Sequence, residues 1–335
     1  MKEFYVRNVH DALGVGLDTI KWMLKSNTIE PLESRNGQVL EFPTPIATTY
    51  AKPCERVVFY PERDANPFFH LMESLWMLAG RNDVEFVTDY VKTMEQYSDD
   101  GVTFNGAYGY RWRHQFGRDQ LPIIIRRLKE DPTDRRCVVA MWDGHHDLDL
   151  DTKDQPCNTH IYFKIRKNKL NMTVCNRSND MIWGAYGANA VHFSVLQEYI
   201  AAMIGVEVGE YTQFSDNLHI YLNDVYERCK NIKKSQYENP YESTFINHFP
   251  LVDNPESFDA ELDAFMANDW DEPYENTFFT HVAIPMAQAY KAHKRRDYDA
   301  AFDAIGKVGA GDWHTACVEW LERRRTAFLN KTTAA

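Results

Sequence analysis

No apolar run in this chain approaches the ~18 residues that would suggest a membrane span, and the opening residues Met1-Lys2-Glu3-Phe4-Tyr5 hold no apolar signal-peptide core. Cysteine pairing is missing too. The six cysteines, at positions 54, 137, 157, 175, 229 and 317, show no Cys-x-x-Cys spacing, which argues against both a zinc site and a disulfide framework. There is no excess of positive charge. A formal charge of -12 argues against a protein that coats duplex nucleic acid, while a single phosphate needs only a local arginine cluster. Internal repeats and low-complexity segments are absent. These absences point to a reduced, cytoplasmic globular protein, and 335 residues at 44% hydrophobic content can bury one large α/β domain or two small ones.

Hydrophobic periodicity predicts helices over residues 10–26, 67–79, 84–97 and 121–128, and from Tyr221 to about Lys233. Strands are expected over 39–42, 55–59 and 136–142. A hairpin is expected from 161–165 and 170–175, with its turn at Arg166-Lys167-Asn168-Lys169. Residues 237–273 look irregular, acidic and aromatic, and 283–293, 298–305 and 313–328 look helical. The loop 143–154 carries two histidines and five aspartates. It reads as a solvated surface loop, with a metal site as the alternative that lacks clean ligand spacing. No flexible linker is visible, so the expected organisation is a catalytic domain over 1–235 with a mainly helical extension over 236–335.

Gln155-Pro156-Cys157-Asn158 precedes the hairpin, and Arg177-Ser178-Asn179-Asp180 follows it. The hairpin therefore brings a thiol and a polar cluster to one end, where an arginine and a hydroxyl can grip a phosphate and the arginine's charge can favour a thiolate. Further on come Trp183-Gly184, Asn189-Ala190-Val191-His192-Phe193 and Ser215-Asp216-Asn217-Leu218-His219-Ile220-Tyr221. The order Pro-Cys, Arg-Ser-x-Asp, Gly, Asn, His-x-Tyr resembles the thymidylate synthase superfamily, which includes the dUMP and dCMP hydroxymethylases. The resemblance covers about residues 15–235. It implies an α/β (α+β) three-layer sandwich with a large, bent, mixed sheet, and a homodimer with shared active sites.

The resemblance also implies roles. Cys157 would add to C6 of a pyrimidine nucleotide, making C5 nucleophilic toward a one-carbon unit from 5,10-methylenetetrahydrofolate. Arg177 and Ser178, with Arg35, would bind the nucleotide phosphate. Arg135 and Arg136 match the pair contributed by the partner subunit. Glu73, a carboxylate in a mostly apolar helix, matches the family's proton-relay glutamate, its bland alternative being a pair with a buried arginine. Asp180 falls near base and folate, Tyr108 lines the nucleotide site, and His219 and Tyr221, alternating on a strand, would hold the sugar hydroxyl. Asn189 would read the base: a carboxamide offers an acceptor to uracil N3–H and a donor to O4. The family's spacing from Asp180 would land on Ala188. Asn189 is aligned because the following helix matches in register, and a helix-capping role is its alternative.

Three departures from a thymidylate synthase stand out. No tryptophan lies between Trp76 and Trp112, where the family places an indole against the methylene intermediate. Asn158 and Asn176 stand for the usual histidine and glutamine. The last residues, Leu329 to Ala335, lack the apolar tail that closes over folate. A site open to water favours hydration of the methylene over its reduction, so conversion of dUMP to 5-hydroxymethyl-dUMP is the expected reaction. Thymidylate synthesis, dCMP hydroxymethylation and non-catalytic nucleotide or RNA binding are the alternatives.

Overall fold

The alternation read between residues 161 and 175 builds the centre of a mixed sheet in the computed structural model, which describes residues 2–236, 238–242 and 246–333. The strands are β1 (Lys2–Val6), β2 (Leu32–Ser34), β3 (Gly37–Glu41), β4 (Ile46–Tyr50), β5 (Val138–Ala140), β6 (Asn158–Arg166), β7 (Lys169–Asn176), β8 (Asn179–Asp180), β9 (Glu207–Ser215) and β10 (Leu218–Tyr221). β6 and β7 form the hairpin. Its two turn residues, Lys167 and Asn168, have φ of 51° and 59°, the pair of left-handed conformations that matches strand twist in a two-residue turn.

Six strands run in the order β1-β4-β9-β7-β6-β5, and four in the order β2-β3-β10-β8. Both sheets mix parallel and antiparallel pairs. The chain passes directly from one sheet to the other over residues 42–45 between β3 and β4, and at two adjacent places, Arg177-Ser178 after β7 and Asp216-Asn217 after β9. Backbone bonds stitch that bend together: Asp216 N–H donates to Asn176 O at 2.9 Å, and Asn179 N–H to Asn217 O at 2.8 Å. The bent mixed sheet is thus present, and the bend falls on the residues expected to bind phosphate.

Helices follow the apolar stripes. α1 (Val9–Lys25) starts on Asn8, whose side chain accepts from Asp11 N–H. α2 (Pro67–Leu78) starts on Asn66, which accepts from Phe69 N–H, with proline in the first turn. Then come α3 (Val84–Tyr90), α4 (Tyr108–Arg113), α5 (Gln120–Glu130), α6 (Asn189–Ile204), α7 (Asp224–Cys229), α8 (Phe258–Met266), α9 (Ile284–Lys294), α10 (Tyr298–Ile305) and α11 (Gly311–Thr333). α6 lies against β7, β9 and α2. The other face of the six-stranded sheet leaves His160, Tyr162, Thr173, Cys175, Thr212 and Phe214 partly exposed. Tyr290 of α9 and Trp320 of α11 pack their rings on Phe68 at 5.4 and 5.5 Å, so these C-terminal helices buttress α2.

Several expectations need correction. Residues 55–59 are not a strand. Arg56 to Phe59 are buried without a sheet partner, and side chains take two of their backbone N–H groups: Val57 N–H donates to the Tyr241 hydroxyl and Phe59 N–H to His10 Nδ1. The helix over 84–97 breaks at Val91, which is extended, and continues as a tighter 3₁₀ segment over Lys92–Tyr97. Helix α7 ends at Cys229, short of Lys233. The acidic stretch contains α8, whose Phe258, Leu262, Phe265 and Met266 face the core; Tyr237 and residues 243–245 lie outside the described residues, as do Ala334 and Ala335 of the last segment. The loop 143–154 is not merely solvated. Asp147 is fully buried on Arg111, with Nη1–Oδ2 at 2.7 Å and Nη2–Oδ1 at 2.9 Å.

Candidate active site

Cys157 sits where the pinned loop meets β6. A register shift between Asn158 and His160 marks a bulge there, a device that re-aims side chains. Arg177 is clamped on the Pro-Cys turn, its Nε donating to Pro156 O at 3.0 Å and Nη2 to Gln155 O at 3.2 Å. The same Nη2 lies 3.7 Å from Cys157 Sγ. The expected effect on the thiol is only half realised. Burial pushes the Cys157 thiol up, Arg177 and Arg35 oppose that, and the charge of Asp154 adds to it; the net direction is upward. Without a ligand, Cys157 is held as the thiol.

Two spaces meet at this sulfur. One, of about 300 Å³, is lined by Glu73, Tyr108, Cys157, Ser178, Asp180, Asn189, His219 and Tyr221, together with Trp76, Met94, Tyr97, Asp154 and Trp183. The other, of about 270 Å³, is polar and includes Arg35, Arg177, Ser178, Asn217, His219 and Tyr221. A flat base fits the first and a phosphate the second. Ten of the twelve sequence-derived candidates therefore line the two spaces. Arg135 and Arg136 line neither; Arg136 lies at the edge of β5, three-quarters exposed and paired with Asp134 at 2.9 Å.

Glu73 is paired, but not with an arginine. His192 Nε2 lies 2.9 Å from its Oε2, at an angle poor for a hydrogen bond. His192 is three residues after Asn189, on the same face of α6. Asp180 accepts from the N–H groups of Ile182 and Trp183 at 2.8 and 2.7 Å, and burial still raises its pKa. His219 Nδ1 lies 2.8 Å from Asn217 Oδ1. Burial lowers its pKa against the pull of Asp180, so the neutral ring donates from Nδ1 and keeps Nε2 as an acceptor. Burial drives the Tyr108 hydroxyl far above its ordinary pKa, keeping it a neutral donor.

The segment Met181–Ala188 is a wide π-type turn with non-helical Tyr186 and Gly187. Such turns absorb an extra residue, which accounts for the long spacing before Asn189. Asn189 does not cap α6: Ala188 holds the cap position, and no side chain bonds there. Instead Asn189 Nδ2 donates to Asn179 Oδ1 at 3.1 Å. That orientation is forced from behind. Gln213 Nε2 donates to the carbonyl of Ala185 at 3.0 Å, which can only accept, so Gln213 Oε1 must receive from Asn179 Nδ2 at 2.9 Å. Asn179 therefore turns its oxygen to Asn189. Asn189 is left with its own oxygen and one N–H for the cavity.

A family model described as thymidylate synthase matches residues 66–275. The chain belongs to the thymidylate synthase family. Along 98% of its length, and 96% of the relative's, it is 49% identical to a deoxyuridylate hydroxymethyltransferase of Pseudomonas phage M6. Over 62% of its length and 56% of the relative's it is 41% identical to a deoxyuridylate hydroxymethyltransferase of Bacillus phage SP01. Over 53% of its length and 69% of the relative's it is 31% identical to a thymidylate synthase of Bacillus licheniformis.

Within this thymidylate synthase family frame, several site residues went unassigned in the sequence. Asn179 stood inside the quoted cluster, but its role needs Gln213 from β9, which no local pattern reveals. Arg63 is buried under the wide turn, donating to Ile182 O at 3.0 Å with its guanidinium 5.0 Å from the Trp183 ring. Trp183 is 42% exposed and offers a ring face at the cavity mouth. Met94 and Tyr97, from the stretch after α3, line the first space. Among the described residues no helix is long and apolar enough to cross a membrane.

Proposed function

We propose that the protein transfers the methylene of 5,10-methylenetetrahydrofolate to C5 of dUMP and releases 5-hydroxymethyl-dUMP. One observation carries the reading. Cys157, gripped beside Arg177, opens onto a cavity whose Asn189 amide is held with an acceptor and a donor free, the complement of the uracil edge. The relative matched along nearly the whole chain carries that activity in its name.

The geometry supports the following roles. Arg177, Arg35 and Ser178 hold the phosphate, whose arrival at the arginines brings the substrate over the sulfur. His219 Nε2 and Tyr221 take the sugar hydroxyl. Cys157 adds to C6, the uracil becomes an enolate, and C5 turns nucleophilic. Glu73, with His192 behind it, moves protons near the base, and Asp180 orients base and folate. Trp183, Met94 and Tyr97 fit a flat heteroaromatic ring and would hold the folate, which supplies the methylene carbon. Met94 and Tyr97 shield C5 less completely than an indole, which favours water as the last reactant. The partly exposed face of the six-stranded sheet supports a homodimer, with Arg135 and Arg136 reaching a neighbour's phosphate. Six free thiols suit a reducing cytoplasm.

The test offers the protein equal dUMP and dCMP with the folate and weighs the nucleotides. A gain of CH2O on dUMP alone supports the reading. A gain on dCMP assigns the base wrongly, and a gain of CH2 on dUMP makes the protein a methylating enzyme.

A further inference from the structure

Hydroxymethylation needs a water that thymidylate synthesis does not, and something must hold it and take its proton. Among the carboxyls of the cavity, Glu73 faces His192 and is assigned above to proton movement at the base, and Asp180 is bonded to two backbone amides. The third is Asp154, three residues before the nucleophile. Its Oδ2 accepts the Gly106 N–H at 2.7 Å, and Oδ1 has no donor among the described residues. The loop is locked around it. The Asn105 amide donates to the Asp154 carbonyl at 3.2 Å, and the Asp154 N–H donates to Thr152 Oγ1, itself bonded to Asp99.

The fit to Gly106 is close. A Cβ on that residue would lie 2.7 Å from Asp154 Oδ1 and 3.0 Å from its Cγ, a distance only glycine permits. The carboxyl therefore rests on bare backbone with one oxygen free, on the wall that also carries Cys157 and Tyr108. Burial raises its pKa; Arg111 and the Gly106 amide oppose this, and Asp99 and Glu73 add to it. A carboxylate so placed is a stronger base than one in water.

We propose that Asp154 is the general base that delivers water to the C5 methylene, an assignment that rests on the hydroxymethylation reading above. The water oxygen bonds to the exocyclic carbon. The electrons of the C5-methylene double bond move into the C4 carbonyl as an enolate, and the water proton passes to Asp154. The enolate then re-forms C5=C6 as the C6–S bond breaks. Cys157 leaves as the thiolate, and the Asp154 carboxyl returns its proton to solvent. No oxidant or reductant is consumed.

Because every step is reversible, the assignment can be tested without folate. The protein is incubated with 5-hydroxymethyl-dUMP in ¹⁸O-water, and label entering the hydroxymethyl group is followed by mass. Debromination of 5-bromo-dUMP with added thiol, which requires Cys157 addition but no hydration, is measured in parallel. Asp154→Asn should lose about 100-fold or more of the oxygen exchange, while debromination should not fall below about one-third of wild type, since removing this charge only eases ionisation of Cys157. Gly106→Ala, which displaces the carboxyl, should shift the ratio the same way, and Asp154→Glu should recover part of it. Equal losses in both assays would make Asp154 structural, and unchanged exchange in Asp154→Asn would remove it from the reaction. Either result overturns the assignment while leaving the activity standing. A wild-type protein that debrominates but exchanges no oxygen would instead overturn the hydroxymethylation reading, and this assignment with it.

Discussion

Asn189→Asp should turn the protein toward dCMP, but at a cost set by the residues behind it. The new carboxylate oxygen would stand where Nδ2 now donates to Asn179 Oδ1 at 3.1 Å, so two acceptors would face each other. Asn179 cannot turn to relieve this. Its Nδ2 is committed to Gln213 Oε1 at 2.9 Å and Ser215 Oγ at 3.2 Å, and Gln213 is held in turn by the Ala185 carbonyl. A buried acceptor without a donor costs about 1–3 kcal/mol, and loss of the N–H that faces uracil O4 costs a similar amount. The first cost falls on the free protein and lowers its stability; the second, about 1–3 kcal/mol, is a fall of ~5- to 150-fold in kcat/KM for dUMP. dCMP should become the preferred substrate, yet be turned over at least ~10-fold below the wild-type rate on dUMP, because the clash with Asn179 remains. Steady-state kinetics with both nucleotides and a melting curve check this; the melting temperature should fall by about 2–4 °C. A variant as fast on dCMP as wild type is on dUMP, with an unchanged melting temperature, would refute the fixed-amide argument. A variant that keeps dUMP while Ala188→Asp changes base would move the reading of the base to position 188.

Further outcomes follow from the same geometry. Alkylation of Cys157 by iodoacetamide in the nucleotide-free protein should be slow at neutral pH and rise only above the ordinary thiol range; Arg177→Leu should push the profile higher and Asp154→Asn lower, as mass mapping against pH would reveal. Cys157→Ala should bind dUMP and form no product. Mixed with Arg136→Ala it should regain activity through hybrid dimers, and failure to do so after proven subunit exchange would argue against shared sites. Asp147→Ala strands the buried Arg111 guanidinium and should cost about 3–5 kcal/mol in chemical denaturation; a loss under about 1 kcal/mol would mean that the loop is not held by that pair.

The hairpin was legible because its strands alternate and a polar turn containing Asn168 separates them, and α2 because its long apolar run opens on Pro67. Residues 55–59 misled because continuous burial looks like a strand even where a tyrosine and a histidine, distant in sequence, take its backbone bonds. α8 was hidden by the acidic residues on its exposed face. In the site, most candidates followed from motif order, since each lies on an element whose neighbours in sequence are also its neighbours in space. His192 as partner of Glu73, Gln213 behind Asn179 and Gly106 under Asp154 join residues about 30 to 120 positions apart, and only the packing of α2, α6, β9 and the pinned loop reveals them.

The most direct test of the account is one incubation of the protein with dUMP and 5,10-methylenetetrahydrofolate in ¹⁸O-water, read by nucleotide mass and by the absorbance of dihydrofolate. The account predicts 5-hydroxymethyl-dUMP carrying oxygen from the solvent and no dihydrofolate. Accumulation of dTMP in step with dihydrofolate would contradict it.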